Sequence, residues 1–158
     1  MQIIGFTFTK ISSEKKPNFK YSEVVPSPNI QILDISKTEV KISSIEAVQV
    51  KFVYTVSYES KEKSKEEQGN AIFEGNIVLS ATSAEIKDLL KDWETKQVSN
   101  TFTVPIVNYV IKRTSGLALL LENEIDLPPH IPIPQIPLSA QNKLPSQPQN
   151  NKSDKKKK

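Results

Sequence analysis

The stretch VQVKFVYTVSY, Val48–Tyr58, decides the fold, because apolar and polar residues alternate along nearly its whole length. Strict alternation is typical of an antiparallel strand with one covered face and one wetter face. The wetter face carries Gln49, Lys51, Thr55 and Ser57. The face predicted to be covered consists of Val48, Val50, Phe52, Tyr54, Val56 and Tyr58.

Four further stretches also have the composition of strands. They are residues 3–11, 19–25, 29–35 and 71–81. In the first, alternation predicts that Ile4, Phe6 and Phe8 point one way. Pro26 and Pro28 are predicted to end the second, since proline cannot donate to a strand ladder. The charged residues 59–70, between the strand at Val48–Tyr58 and the strand at 71–81, predict a long hairpin loop.

Two helices are predicted after the strands. Thr82 and Glu85 have the spacing of a capping box, and the apolar residues that follow recur at helical spacing. The second helix is predicted to begin near Thr103, with Pro105 in its first turn, and to run to Ile125. Strands followed by helices predict an α+β domain with both helices on one face of the sheet.

The second helix is apolar on more than one face, so it needs a second surface to pack against, either the first helix or another subunit. The side chains expected at such an interface between subunits are Ile106, Val110, Leu117 and Leu121. Gly116 inside this helix costs about 1 kcal/mol relative to alanine, which close approach of another backbone would offset. Lys112 and Arg113 at its centre argue against a membrane span.

Charge divides the chain into two parts. Residues 139–158 carry six lysines and one aspartate, a net charge of +5, which leaves residues 1–138 at −2. The first part predicts a single domain, and the second a disordered lysine-rich tail. A slightly acidic body is poor support for nucleic-acid binding. The absence of cysteine and of a recognisable signal peptide favours a cytoplasmic location.

The sequence lacks the residues that most enzymes need. His130 is the only histidine, and the four glycines are too scattered to cradle a phosphate. We therefore expect no enzymatic activity, no cofactor and no metal. A lone histidine among prolines is more often a packing residue than a catalytic one. Carboxylates such as Glu122 and Glu124 lie at a helix end, where nothing in the sequence indicates burial.

The proline-rich segment LPPHIPIPQIP and the leucine after it, residues 127–138, form what we call the strap. It contains two PxxP patterns, which could form an exposed polyproline ligand. The isoleucines between the prolines instead favour packing along an apolar surface of the domain. The strap is then expected to act as the wall or lid of a groove.

The element order and several local phrases resemble the SecB-type export chaperone family, in particular its archaeal SecB-like members. The phrases are FTFTKISSEKK (Phe6–Lys16), VNYVIKRTSGLALLLENEI (Val107–Ile125) after Pro105, and LPP (Leu127–Pro129). The resemblance implies a four-stranded antiparallel sheet followed by one short and one long helix. It also implies a homo-oligomer, a dimer or tetramer, that holds unfolded polypeptides in apolar grooves without ATP and is linked to protein export.

On this resemblance, the residues that would contact a bound polypeptide are apolar positions on strands and in the strap. The candidates are Phe52, Tyr54, Tyr58, Phe73, Ile131, Ile133 and Ile136. Ordinary core packing is the competing interpretation for each of them. The near-neutral body and the lysine-rich tail depart from the acidic bacterial members, so partnership with their motor ATPase does not carry over.

Two functions remain open at this point. One is a holdase for many non-native polypeptides. The other is an adaptor or structural subunit that binds one specific protein, such as an antitoxin. A third hypothesis is that the strap is itself a proline-rich ligand. Enzymatic activity is the least favoured hypothesis.

Overall fold

The computed structural model shows a four-stranded antiparallel sheet followed by two helices. It describes residues 1–38, 46–61 and 66–134. The elements are β1 (Gln2–Lys15), a short 3-10 turn (Tyr21–Glu23), β2 (Val24–Lys37), β3 (Glu46–Ser60), β4 (Glu67–Ala81), α1 (Ser83–Glu94) and α2 (Asn100–Glu124). The strand order across the sheet is β1-β4-β3-β2. The predicted α+β class and the sheet-then-helices order are confirmed.

Strand β3 confirms the alternation that was read from its sequence. Every second side chain from Val48 to Tyr58 is at most 3% exposed, and these side chains face the helices. The residues between them are half-buried or exposed, as expected for the face without helices. β3 lies at the centre of the sheet between β2 and β4, which explains why its pattern is the clearest in the chain.

Strand β2 is continuous where the sequence predicted two strands broken by prolines. Pro26 is paired with Tyr58 and Pro28 with Val56, within a register to β3 that is unbroken from Val24 to Ile32. The prolines are tolerated because β2 is an edge strand among the described residues. Its solvent side needs no ladder partner, so the missing N–H groups can lie there.

Strand β1 corrects the predicted facing of Ile4. A register shift between Ile3 and Gly5 interrupts the alternation, so Ile3 pairs with Leu79 while Ile4 is 42% exposed. Phe6 and Phe8 do face the helices, as predicted, and both pack against the core. A β-bulge of this kind adds a residue that period-two counting cannot detect.

Helix α1 begins as its sequence predicts. The Thr82 hydroxyl accepts from the Glu85 N–H, while the Glu85 carboxylate accepts from the Thr82 N–H at 2.8 Å. Ile86 and Leu89 are buried, and Trp93 is half-buried against the core. The tryptophan therefore packs as expected.

Helix α2 begins earlier than predicted. Ser99 is its cap, accepting from the Thr101 N–H, and the Thr103 hydroxyl bonds back to the Ser99 carbonyl. Pro105 consequently lies beyond the first turn. Serine and threonine both cap helices well. The sequence alone therefore does not show whether Ser99 or Thr103 begins the helix.

Helix α2 packs across β4 and its neighbours β1 and β3. Tyr109 lies edge-on to Phe6, and the Arg113 guanidinium lies 5.2 Å from the same ring. By length and composition α2 could also cross a membrane, as the core helix of a globular domain often could. Only 22% of its most apolar window is buried within the chain. Much of its apolar surface is thus left uncovered by the described residues.

Candidate polypeptide-binding surfaces

The strap begins with a tight reversal at the end of α2. Asp126 adopts a positive φ of 62°, and the Leu127 N–H donates to the Glu122 carbonyl at 2.8 Å. Leu127 is 4% exposed and packs near Gly69 of β4. The chain therefore turns back onto the sheet immediately after the helix.

The strap is fixed to the domain by a buried carboxylate. Glu122 Oε1 lies 2.6 Å from His130 Nδ1 and accepts from the Tyr58 hydroxyl at 2.8 Å. Glu122 Oε2 accepts from the His130 backbone N–H at 3.2 Å. Three elements, namely α2, β3 and the strap, therefore meet at one side chain, and we call this group the Glu122 anchor.

The Glu122 anchor is deeply buried, which corrects the expectation that Glu122 lies in a solvated helix end. The side chains of Glu122 and His130 are each 1% exposed. Sequence reasoning missed Glu122 because the strap that covers it comes later in the chain. His130 is the hydrogen-bonding packing residue that its sequence context favoured. Its Nε2 is buried and finds no hydrogen-bond partner among the described residues.

Burial also changes the titration of the two tyrosines near the anchor. Desolvation, followed by the charge of Glu122, raises the pKa of Tyr54 from 10.0 to about 12. The pKa of Tyr58 is raised further, first by desolvation and then by the hydrogen bond to Glu122. Both hydroxyls therefore stay neutral around the anchor at any ordinary pH.

Beyond the anchor, the strap presents apolar side chains to solvent. Ile131 is 38% exposed and Ile133 is 58% exposed. Leu127 lies near Gly69, which pairs with Tyr58, while the His130 ring centroid lies 6.1 Å from that of Tyr54. The strap therefore runs along β3 from the level of Tyr58 toward Tyr54.

Strand β2 carries two more apolar side chains on the sheet face that the strap crosses. Ile30 pairs with Tyr54 and Ile32 pairs with Phe52, so both share the helix-side face, and both are half-buried. We call the four isoleucines Ile30, Ile32, Ile131 and Ile133 the strap surface. It combines two half-buried isoleucines of β2 with two exposed isoleucines of the strap.

The aromatic residues predicted to contact a polypeptide lie elsewhere. Phe52, Tyr54, Tyr58 and Phe73 are at most 3% exposed and belong to the core of the chain. Their expected exposure is therefore corrected, because α2 and the strap cover that face of the sheet. Ile131 and Ile133 are exposed as a binding role requires, and Ile136 lies outside the described residues.

The residues predicted at a subunit interface also divide into two groups. Ile106 and Val110 are buried against the chain's own sheet, and Leu117 and Leu121 are half-buried. The more exposed apolar residues of α2 are ones that sequence reasoning did not select. They are Val104, Ile111 and Leu120, between 38% and 54% exposed.

A separate groove of about 630 Å³ opens between α1 and the first turns of α2. Its floor is apolar and includes Leu79, Leu89, Phe102 and Ile106, while Glu85, Asp88 and Asp92 of α1 line it with carboxylates. We call this feature the acidic groove. It was not predicted, because its two helices approach each other only in the folded chain.

Together, these features define an α+β domain with exposed apolar surfaces. No protein-family profile and no curated protein matches the sequence. In structure, the chain is similar to a SecB-like chaperone of Mycobacterium tuberculosis, solved in complex with a peptide from an antitoxin. The identity is 14% and the TM-score 0.49, over 87% of this chain and 92% of that chain.

Proposed function

We propose that the protein is a non-enzymatic chaperone that holds unfolded or non-native polypeptides on the strap surface. The observation that carries this proposal is a segment fixed at one end and apolar beyond it. The Glu122 anchor positions the strap, and Ile131 and Ile133 then remain exposed. The support comes from the chain's own geometry, since a likeness at 14% identity concerns the fold alone.

The strap surface suits an extended client chemically. Full burial of an isoleucine side chain contributes roughly 1.5–3 kcal/mol, so the two exposed and two half-buried isoleucines supply a useful attraction. The prolines keep the strap extended without a bound partner, which lowers the entropy lost on binding. Such contacts are non-directional and tolerate many client sequences.

Aggregation assays test this proposal. The full chain, mixed at stoichiometric ratio with several unrelated denatured proteins, should reduce their light scattering. I131S/I133S should lose most of that effect. A matched control, I4S/I11S, removes two isoleucines of similar exposure on β1 and should retain it. If both variants lose activity equally, the strap surface is not the binding surface.

Binding of one dedicated protein, such as an antitoxin, is the alternative function. The same surface would then recognise a single apolar segment rather than many. Failure of the unaltered chain to protect any of several clients would favour this alternative over a general holdase. A specific partner would then be recovered by the unaltered chain and lost by I131S/I133S.

We further propose that the protein works as a cytoplasmic homo-oligomer, a dimer or tetramer. Support comes from the uncovered apolar residues of α2, namely Val104, Ile111 and Leu120. Only 22% of the most apolar window of α2 is buried within the chain. A second copy that covers the remaining apolar surface would therefore stabilise the protein.

A further inference from the structure

The acidic groove places like charges next to one another on one helix. Asp88 and Asp92 are four residues apart on α1, a spacing at which like charges destabilise a helix. Glu85 is already engaged, since it closes the capping box and lies 3.4 Å from the Met1 amino group. Among the described residues, no ion pair involves the Asp88 or Asp92 side chain. The Asp88 and Asp92 carboxylates are therefore available to pair with a cation from outside the described residues.

The floor beside these carboxylates is apolar. Leu79 comes from β4, Leu89 from α1, and Phe102 and Ile106 from α2. A volume of about 630 Å³ accommodates several side chains. The groove therefore suits an apolar segment flanked by lysines, in which the ammonium groups meet the rim and an aliphatic residue meets the floor.

We propose that the acidic groove docks the chain's own lysine-rich tail, residues 139–158. The tail combines a net charge of +5 with an apolar residue, Leu144, directly after Lys143. The groove combines unpaired carboxylates with an apolar floor, so charge and apolar surface complement each other. This inference is independent of the chaperone proposal, because it concerns a different surface.

The tail can reach the groove. The last described residue is Pro134, and an extended chain covers about 3.3–3.6 Å per residue, so Lys143 reaches about 30 Å from it. The whole of α2, at about 1.5 Å per residue, is roughly 37 Å long. The strap moreover runs from Tyr58 toward the start of β3, where Val48 pairs with Leu79 of the groove floor.

Tethering makes weak contacts sufficient. A segment linked to its site by a short flexible connection acts at a local concentration in the millimolar range. Exposed lysine–carboxylate pairs contribute only about 0.2–1 kcal/mol each and are screened by salt. The contact should therefore be reversible and should weaken as ionic strength rises.

Zero-length carbodiimide crosslinking of the full chain tests the inference, because this reagent joins lysine amines to carboxylates in contact. At low salt, mass spectrometry should find tail lysines joined to Asp88 and Asp92 several-fold more often than to Glu94 and Glu124. The last two are exposed carboxylates outside the groove. The preference should fall several-fold in 0.5 M salt. Crosslinks distributed evenly over exposed carboxylates would overturn the proposal.

Two controls separate the possible occupants. L144S removes the apolar residue of the tail but no crosslinking group and should lower the preference several-fold, while E94Q/E124Q should leave the groove crosslinks unchanged. Mixing chains with and without ¹⁵N label identifies crosslinks between copies. If the groove crosslinks are mostly between labelled and unlabelled chains, the occupant is the tail of a second copy and docking within one chain is wrong.

Discussion

At the scale of single residues, Glu122 is the side chain that fixes the strap to the domain. It is a carboxylate with 1% of its side chain exposed, and it connects α2, β3 and the strap. A buried acceptor of this kind contributes little net stability while it is satisfied, yet its loss leaves several donors without partners. The anchor therefore makes strap position and fold stability depend on one another.

Removal of the anchor should be costly. We expect E122A to lower the free energy of unfolding by about 3 kcal/mol, because the Tyr58 hydroxyl and two groups of His130 lose their acceptor. Urea denaturation followed by tryptophan fluorescence measures this. E124A, two residues away and exposed, is the control and should change stability by less than about 0.5 kcal/mol. Equal losses in the two variants would contradict the anchor.

Stability at high pH should depend on Tyr54. Its pKa is about 12 in the folded chain and 10.0 as the ordinary value, so folding favours its neutral form. That stabilisation is complete below pH 10 and is lost as pH rises from 10 to 12, by roughly 2–3 kcal/mol in all. Urea denaturation at intervals from pH 8 to 12 should show a shallower decline for Y54F than for the unaltered chain. Parallel curves would contradict the raised pKa.

At the scale of elements, the predictions that succeeded were local and those that failed depended on distant contacts. The alternation in β3 and the capping box of α1 are each contained within a few residues, so their sequence was sufficient. The continuity of β2 through Pro26 and Pro28 depended on its place at the edge of the sheet. The exposure of Tyr54 and Tyr58 depended on a strap that follows them by some seventy residues. Of the candidate site, only Ile131 and Ile133 were both predicted and found exposed.

Gly75 marks a close approach among β1, β3 and β4. A Cβ at this position would lie 2.5 Å from the Thr7 carbonyl oxygen of β1 and 2.7 Å from the Phe52 ring of β3. We expect G75A to destabilise the fold by about 1–3 kcal/mol, because neither backbone nor ring can move away freely. Thermal denaturation provides the measurement.

Gly116 offers a matched comparison. Nothing lies within 4 Å of its Cβ position among the described residues, so G116A should stabilise an isolated chain by about 1 kcal/mol. If G75A were as harmless as G116A, the contact among β1, β3 and β4 would be looser than the structure shows.

At the scale of the whole molecule, two apolar regions point away from the chain's core. The strap surface combines residues of the strap and β2, and the exposed residues of α2 lie on the helix that packs across β4 and its neighbours β1 and β3. The proposed binding of clients and the proposed association of copies therefore use different surfaces. This separation makes the two properties independently testable.

Association through α2 should be sensitive to charge. We expect the unaltered chain to elute as a dimer or tetramer in size-exclusion chromatography with light scattering, and L120K to shift it toward the monomer. L33K is the matched control, since Leu33 on β2 is 52% exposed and Leu120 is 54% exposed. A monomer for the unaltered chain, or an equal shift in both variants, would show that α2 does not mediate association.

The two prolines of β2 oppose the addition of strands from other chains at that edge of the sheet. They remove consecutive outward donors from that border of the sheet, so an incoming strand finds no complete ladder there. Among the described residues, β1 is the edge strand without proline. Two copies joined there in antiparallel fashion would present a proline-bearing β2 border at each end, which closes the pair by symmetry. The placement of the two prolines therefore opposes fibril growth at this edge of the sheet.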